Sequence, residues 1–379
     1  VMTITYDPNH PKYLDEADVR DELTRVYDLC HGCRLCFKFC TSFPSLFEMV
    51  DAHDDQDAGR LTPAQQDRVI DECFQCKLCY VNCPYIPELH EWQLDFPRLM
   101  LRAEAMRYAT GQKPARQRAT TQMLSRTDLL GKAATVTAPV ANKMIGAPEG
   151  SFVRKAMATM TGVSSVRLLP PYAKQRFSTW FKKRTTQLAA KRQGKVTVFP
   201  TCLVEYQEVQ IGKDLVQVYE RNGIECSNTD AGCCGAPWLH SGDLKQFTKV
   251  AEKNVKILAD EVRKGGDIVV PQPTCGYVLK KDYVDYVADP ALQADAELVA
   301  EHTYDAAEYL MQVHKADDTE LDTEFTGEVP EKITYHTACH LRAQNIGFKS
   351  RDLMKLTGAK VKLVQQCSGI DGMWGLRAE

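Results

Sequence analysis

The sequence predicts an α/β protein whose first hundred residues form a separate, mainly helical module. Three observations lead there. Eight of the fifteen cysteines crowd into residues 1–100 as two copies of one spaced run, none lies in 101–194, and seven return in 195–379. The charge divides at the same places, with balances of −9, +15 and −9 behind a total of −3. From residue 195 onward, short β-branched runs alternate with amphipathic stretches, the pattern of a parallel sheet with crossover helices. The expected domains are therefore a helical module over 1–100, a basic, mostly helical segment over 101–194 and an α/β unit over 195–379.

With 44% hydrophobic and 26% charged residues among 379, the composition is that of a folded globular protein and excludes disordered and collagen-like classes. No apolar run approaches the roughly 18 residues that span a bilayer; the best, 133–147, is short and carries Lys143. The N-terminus is acidic and lacks an apolar core, so no secretory signal is expected.

In the first block, Asp15 is placed to cap a helix over 16–29, with Val19, Leu23, Val26 and Tyr27 on one face. Cys30-His-Gly-Cys33-Arg-Leu-Cys36-Phe-Lys-Phe-Cys40 then reads C-x₂-C-x₂-C-x₃-C. Thr62-Pro63-Ala64-Gln65 is a capping box with proline at the first helical position, opening a helix that carries Val69 and Ile70 into the core. The same cysteine run follows as Cys73, Cys76, Cys79 and Cys83, here with Pro84 behind it; Thr41 takes the place of that proline in the first copy. This is the bacterial ferredoxin spacing, in which three close thiolates hold one cubane and the fourth ligates the other. It assigns Cys30, Cys33, Cys36 and Cys83 to one [4Fe–4S] cluster and Cys73, Cys76, Cys79 and Cys40 to a second. Zinc sites prefer two separated C-x₂-C pairs, and disulfides need an oxidising compartment. Two cubanes in a ferredoxin-like module fit best.

In the third block, strands are expected at 195–199, from 224, at 267–271, 333–336 and 361–365, with helices over about 207–221, 243–263 and 343–357. Cys202, Cys275, Cys339 and Cys367 each follow a strand by a few residues, and Cys233-Cys234-Gly235 lies in the loop after another. The carboxyl edge of a parallel sheet is where ligands bind, so these thiols converge where a cluster would sit. Cys226 instead reads as a buried core residue.

Phe199-Pro-Thr-Cys202, Cys233-Cys234-Gly235 and Pro273-Thr-Cys275 together resemble the cysteine-rich "CCG" domain. Placed after two ferredoxin motifs, that domain is similar to the iron–sulfur subunits of anaerobic glycerol-3-phosphate dehydrogenase (its C subunit), glycolate oxidase and heterodisulfide reductase. The spacings are 31 residues from Cys202 to Cys233, 41 from Cys234 to Cys275 and, in a second copy, 28 from Cys339 to Cys367. The resemblance implies a third [4Fe–4S] cluster on Cys202, Cys233, Cys234 and Cys275. Two departures bear on it. Gln272 stands where the first cysteine of a terminal C-x₂-C belongs, and Gln366-Cys367 replaces a Cys-Cys pair. The second copy keeps Cys339 and Cys367 with His336 and His340 nearby, and it reads as degenerate or as continued beyond Glu379.

The basic middle mixes charge with apolar residues: Phe177, Trp180 and Phe181 share a helical face beside Lys182, Lys183 and Arg184. Such a face suits an anionic membrane surface, a partner protein or the chain's own core. Nucleic acid is not expected, since no binding motif accompanies the charge. Nor does any Gly-rich dinucleotide fingerprint or catalytic constellation stand out. The reading is an electron-transfer subunit taking electrons from a catalytic partner, a flavin dehydrogenase or hydrogenase, and relaying them towards membrane quinone. It would sit in the cytoplasm or peripherally on the inner face of the membrane. The alternative is a heterodisulfide-reductase-like enzyme working at the CCG cluster.

Overall fold

The computed structural model describes residues 6–366, 368, 369 and 374–376. Helix α1 (Glu16–Cys33) begins where Asp15 accepts the Asp18 amide at 2.9 Å. It runs past the expected end at 29, so that Cys30 and Cys33 ride on its last turns, and stops as Arg34 turns left-handed at φ 53°. Short helices α2 (Ser42–Asp51), α3 (Pro63–Asp71) and α4 (Leu78–Asn82) pack around it. The capping box of α3 forms as expected: the Gln65 amide donates to Thr62 Oγ1 at 3.3 Å and the Thr62 amide to Gln65 Oε1 at 2.9 Å.

Helix α5 (Phe96–Ala109) is buried on nearly every side. Leu99, Met100, Ala103 and Met106 join the N-terminal core of Val19, Leu23, Val26, Tyr27 and Phe43, while Leu101 joins the core of the α/β unit. The expected boundary after residue 100 thus falls inside a continuous helix shared by two cores.

Five short helices follow: α6 (Ala115–Leu124), α7 (Thr127–Val136), α8 (Ala138–Ile145), α9 (Phe152–Thr161) and α10 (Phe177–Lys183). Arg154 is buried and ties this segment together, donating to the carbonyls of Ile145 at 2.6 Å and Ser164 at 3.1 Å. The aromatic face of α10 turns inward. Phe177 is fully buried, and Trp180 and Phe181 pack half-buried on the core that contains Val204, Val209 and Val216. Of the readings open for that face, packing on the chain's own core is the one the structure shows.

The α/β unit runs β1 (Gly194–Val198), α11 (Thr201–Tyr206), α12 (Val209–Arg221), β2 (Ile224–Asn228), α13 (Ala236–His240), α14 (Leu244–Arg263), β3 (Asp267–Val270), α15 (Pro273–Tyr277), α16 (Tyr283–Tyr286), α17 (Gln293–Glu301), β4 (Thr303–Asp305) and α18 (Ala306–Lys315). All pairings are parallel, in the order β2-β1-β3-β4, with Val196 opposite Cys226 and Val198 opposite Val269. Side chains alternate across the sheet: Val196, Val198 and Val269 meet α12, while Ile268 and Val270 meet α14 and α17.

The last section forms a parallel pair of its own, β5 (Lys332–His336) with β6 (Lys360–Val364), joined through α19 (Cys339–Ala343) and α20 (Lys349–Lys355). The single helix expected over 343–357 is broken, because Asn345 (φ 54°) and Gly347 (φ 76°) take left-handed conformations that end one helix before the next begins.

Candidate metal centres

The structure gathers the thiols into three groups. Cys30, Cys33, Cys36 and Cys83 line one apolar pocket with Leu29, Phe43, Tyr85 and Leu94, and Cys79 reaches its wall. Burial pushes the Cys30 thiol well up, and the neighbouring sulfurs of Cys36, Cys83 and Cys33 push it further. Cys36 is pushed up to about 12 by burial and then by Cys83 and Cys33. In the second group, burial again raises Cys73 and Cys79, with Cys40 and Cys76 among the charges acting on both. Cys83 thus stands near the first run's thiols and Cys40 near those of the second, and the two groups meet at Cys36 and Cys79.

Local backbone explains the gathering. Arg34 (φ 53°) and Lys77 (φ 61°) follow the second cysteine of each run in the left-handed region, turning the chain so that the third cysteine comes back to the first two. Donors already point at sulfur: Gln75 Nε2 lies 3.6 Å from Cys73 Sγ, and the Tyr85 amide donates to Cys83 Sγ at 3.4 Å.

The third group sits at the carboxyl edge of the four-stranded sheet. Cys202 follows β1, Cys233 and Cys234 follow β2, and Cys275 lies in α15 after β3. Cys202 and Cys234 hydrogen-bond to Cys233, which holds the Cys233 thiol well below its usual range and raises both partners. The Gly235 amide donates to Cys233 Sγ at 3.5 Å. Gly235 must be glycine: its φ is 89°, and a Cβ there would meet the Phe247 ring at 3.0 Å. Thr201, immediately before Cys202, is β-branched yet held at φ 64°, a costly conformation of the kind that collects at functional loops. Gln272 fills the position of the absent cysteine, and its Oε1 accepts the Cys275 thiol proton at 3.0 Å.

Asp128 is the residue that sequence reasoning missed. From α7, its carboxylate accepts the Cys233 amide at 3.0 Å and the Tyr206 hydroxyl at 3.1 Å. Gly131, one turn on, lets α7 approach, since a Cβ there would lie 2.4 Å from the Tyr206 ring. The signal available was its rarity, one of three acids among eighteen basic residues in 101–194. A polar cavity of about 240 Å³ opens beside it onto Cys202 and Cys233, with Lys132, Arg176, Lys182 and Lys253 around its wall.

The remaining candidates lie elsewhere. Cys226 is buried in β2, under α12. Cys339 opens α19, half-exposed, and Cys367 lies outside the described residues. His336 Nε2 is 2.7 Å from the Gln366 carbonyl, and His340 is buried between the N-terminal module and α15.

Four thiols crowded in low-polarity surroundings cannot all ionise by themselves; a positively charged metal core lets them do so. Among the described residues no three His, Cys, Asp or Glu side chains are grouped to share one metal ion, and a cubane instead takes one thiolate on each iron.

Comparison with known proteins agrees. Residues 22–99 match a 4Fe-4S dicluster domain and residues 196–280 a cysteine-rich (CCG) domain. The chain is 28% identical over 262 residues to the C subunit of anaerobic glycerol-3-phosphate dehydrogenase of Escherichia coli K12, covering 68% of this chain and 63% of that protein. It therefore spans less than two-thirds of that relative's length. It is 29% identical over 190 residues to lactate utilization protein A of Geobacillus kaustophilus, covering 48% and 75%, and 31% identical over 178 residues to that of Shouchella clausii, covering 46% and 66%. No solved structure matches. The two domains fit two [4Fe–4S] clusters and a third in the CCG domain. The chain thus joins a 4Fe-4S dicluster domain to a CCG cysteine-rich domain, and it is homologous to lactate utilization protein A and to the C subunit of anaerobic glycerol-3-phosphate dehydrogenase.

Proposed function

We propose that this chain is the electron-transfer subunit of a larger oxidoreductase, accepting electrons from a catalytic partner such as a flavin dehydrogenase or hydrogenase and passing them towards membrane quinone. The ligand sets we assign are Cys30, Cys33, Cys36 and Cys83; Cys73, Cys76, Cys79 and Cys40; and Cys202, Cys233, Cys234 and Cys275. Cubanes, when bound, supply one-electron relays without proton chemistry. The observation that carries the reading is the order of the three groups along the molecule. The ferredoxin-like second run packs on the CCG domain, with Lys77, itself buried, set 5.0 Å over the ring of Tyr277, two residues from Cys275. The first run faces outward: Cys33 is exposed beside exposed Leu35 and Phe37, an apolar rim suited to a partner.

The opposite requirement, contact with a membrane, is supported by α7 to α9 and the loop that follows them. Val136, Phe152, Met160 and Leu168 are each more than four-fifths exposed, and Lys132, Lys143, Lys155 and Arg167 lie close to them in the chain. Among the described residues no helix is long and apolar enough to cross a bilayer, so the contact we propose is peripheral, on the inner face of the cell membrane. The cavity opening on Cys202 and Cys233 favours a second reading, in which a small disulfide reaches the CCG site as in heterodisulfide reductase. The replacement of cysteine by Gln272 and Gln366 counts against it.

Paramagnetic resonance of the native complex tests the two. Reducible cubane signals, together with co-purification of a flavin or hydrogenase partner, are the expected result. A signal that develops only with a thiol substrate, from a chain that purifies alone, would replace the relay with the enzyme.

A further inference from the structure

The β5–β6 section ends in a side chain that ties the other two cysteine-bearing parts together. His340, on α19, is 6% exposed. Its Nε2 lies 2.7 Å from the backbone carbonyl of Gln75, inside the Cys73–Cys76 turn. Its Nδ1 lies 2.9 Å from Oγ1 of Thr274, the residue before Cys275. A carbonyl can only accept, so Nε2 carries a proton, and in the neutral ring Nδ1 accepts from the Thr274 hydroxyl. The ring centroid lies 5.5 Å from that of Tyr277 and 6.4 Å from that of His240, both tilted. The same helix grips α15 a second time: Gln344 Nε2 donates to the Pro273 carbonyl at 3.1 Å, and its amide would lie 3.2 Å from a Cβ on Gly276.

We propose that His340 is a positioning residue for electron transfer, and that α19 of the incomplete second repeat works as a latch between the second ferredoxin motif and the CCG site. One imidazole makes a continuous hydrogen-bonded path from the Gln75 carbonyl, between Cys73 and Cys76, to Thr274, next to Cys275. It fixes the gap between the two groups of thiols and fills it with polarizable atoms rather than water. The idea rests on the relay reading above, since a latch of this kind serves electrons only if both groups hold clusters. It also gives the second repeat a task that needs neither of its own cysteines.

The test uses the full chain with its clusters, as wild type, His340→Ala and His340→Gln. Four quantities are read: iron and sulfide per chain, magnetic broadening between the reduced second and CCG clusters, electron equilibration between them after pulsed reduction, and amide hydrogen exchange. His340→Ala leaves the Gln75 carbonyl buried and unpaired, which favours separation of the two loops and slows equilibration by about tenfold. Iron content stays at the wild-type level and the broadening weakens. His340→Gln keeps an N–H for the Gln75 carbonyl and recovers part of the rate, which a merely space-filling role would not predict. Hydrogen exchange rises in both the 73–77 and 273–277 segments of His340→Ala. Wild-type broadening and rate persisting in His340→Ala would overturn the latch and leave the relay standing. A wild type with no interaction between the two clusters would overturn both.

Discussion

Removing the charge of Asp128 should raise the reduction potential of the CCG cluster without disturbing the other two. Its carboxylate accepts the Cys233 amide at 3.0 Å and the Tyr206 hydroxyl at 3.1 Å, so it is fixed beside the thiols of the third group. A reduced cluster gains negative charge, and a fixed anion nearby opposes that gain. At an effective dielectric of about 20, a unit charge about 8–12 Å away contributes about 1.4–2 kcal/mol. Asp128 is half-buried, and solvent screening favours the lower figure. For a one-electron centre this corresponds to about 60 mV. Asp128→Asn keeps an oxygen for the Cys233 amide, turns a nitrogen to the Tyr206 hydroxyl, which can accept from it, and removes the charge, so its potential should rise by that amount in a spectroscopic redox titration. Asp128→Ala also strands the Cys233 amide and frees α7, costing about 2 kcal/mol in denaturant unfolding. An Asn variant with an unchanged CCG potential would refute the argument that this charge acts on the cluster.

Four further outcomes follow from the same geometry. Gln272→Leu removes the carboxamide whose oxygen faces Cys275 Sγ at 3.0 Å; the negative end of that dipole opposes added electrons on a cluster held there, so redox titration should find the variant higher. Gly235→Ala forces a left-handed alanine against Phe247, a penalty of about 2 kcal/mol, and analysis should find a third of the iron lost with the ferredoxin-type signals intact. Phe152→Glu with Met160→Glu removes two apolar side chains, each worth about 1.5–3 kcal/mol on insertion, so sedimentation with anionic vesicles should fall at least about tenfold. Trp180→Glu should instead lower thermal stability and leave vesicle binding unchanged, because that ring packs on the core.

Much of this was legible in the sequence because cysteine spacing and period-matched apolar residues are local signals. Asp15, the Thr62–Gln65 box and the strand expected at 195–199 depend on a few adjacent residues; the first two appear where expected and the strand one residue earlier, at 194–198. The long helix expected at 343–357 failed for an equally local reason, the left-handed turns at Asn345 and Gly347, which asparagine and glycine permit but do not announce. What stayed hidden was tertiary. Phe177, Trp180 and Phe181 at i, i+3 and i+4 form an apolar face equally suited to lipid and to protein, and only the neighbouring Val204 and Val216 decide between them. Asp128 and His340 act on residues 105 and 265 positions away, beyond the reach of any window.

The charge blocks acquire a different meaning once the pairs are known. A balance of +15 in 101–194 looks like a surface made for an anionic partner. Yet Arg102 is buried against Asp18 at 2.6 Å and Arg107 against Asp71 at 2.7 Å, and half-buried Arg184 pairs with buried Glu220 at 2.6 Å. Each of those acids belongs to one of the two acidic flanks, so part of the positive block is spent holding the flanking domains to the middle. Arg154 is occupied by carbonyls of its own segment. The bases left over include Lys132 and Lys182 at the CCG cavity and Lys143, Lys155 and Arg167 near the exposed Val136, Phe152 and Met160. Alternating charge along the chain is therefore first a folding device, closing three acid–base–acid segments on one another. Only its remainder is a surface, and that remainder is placed beside apolar side chains and beside the third group of thiols.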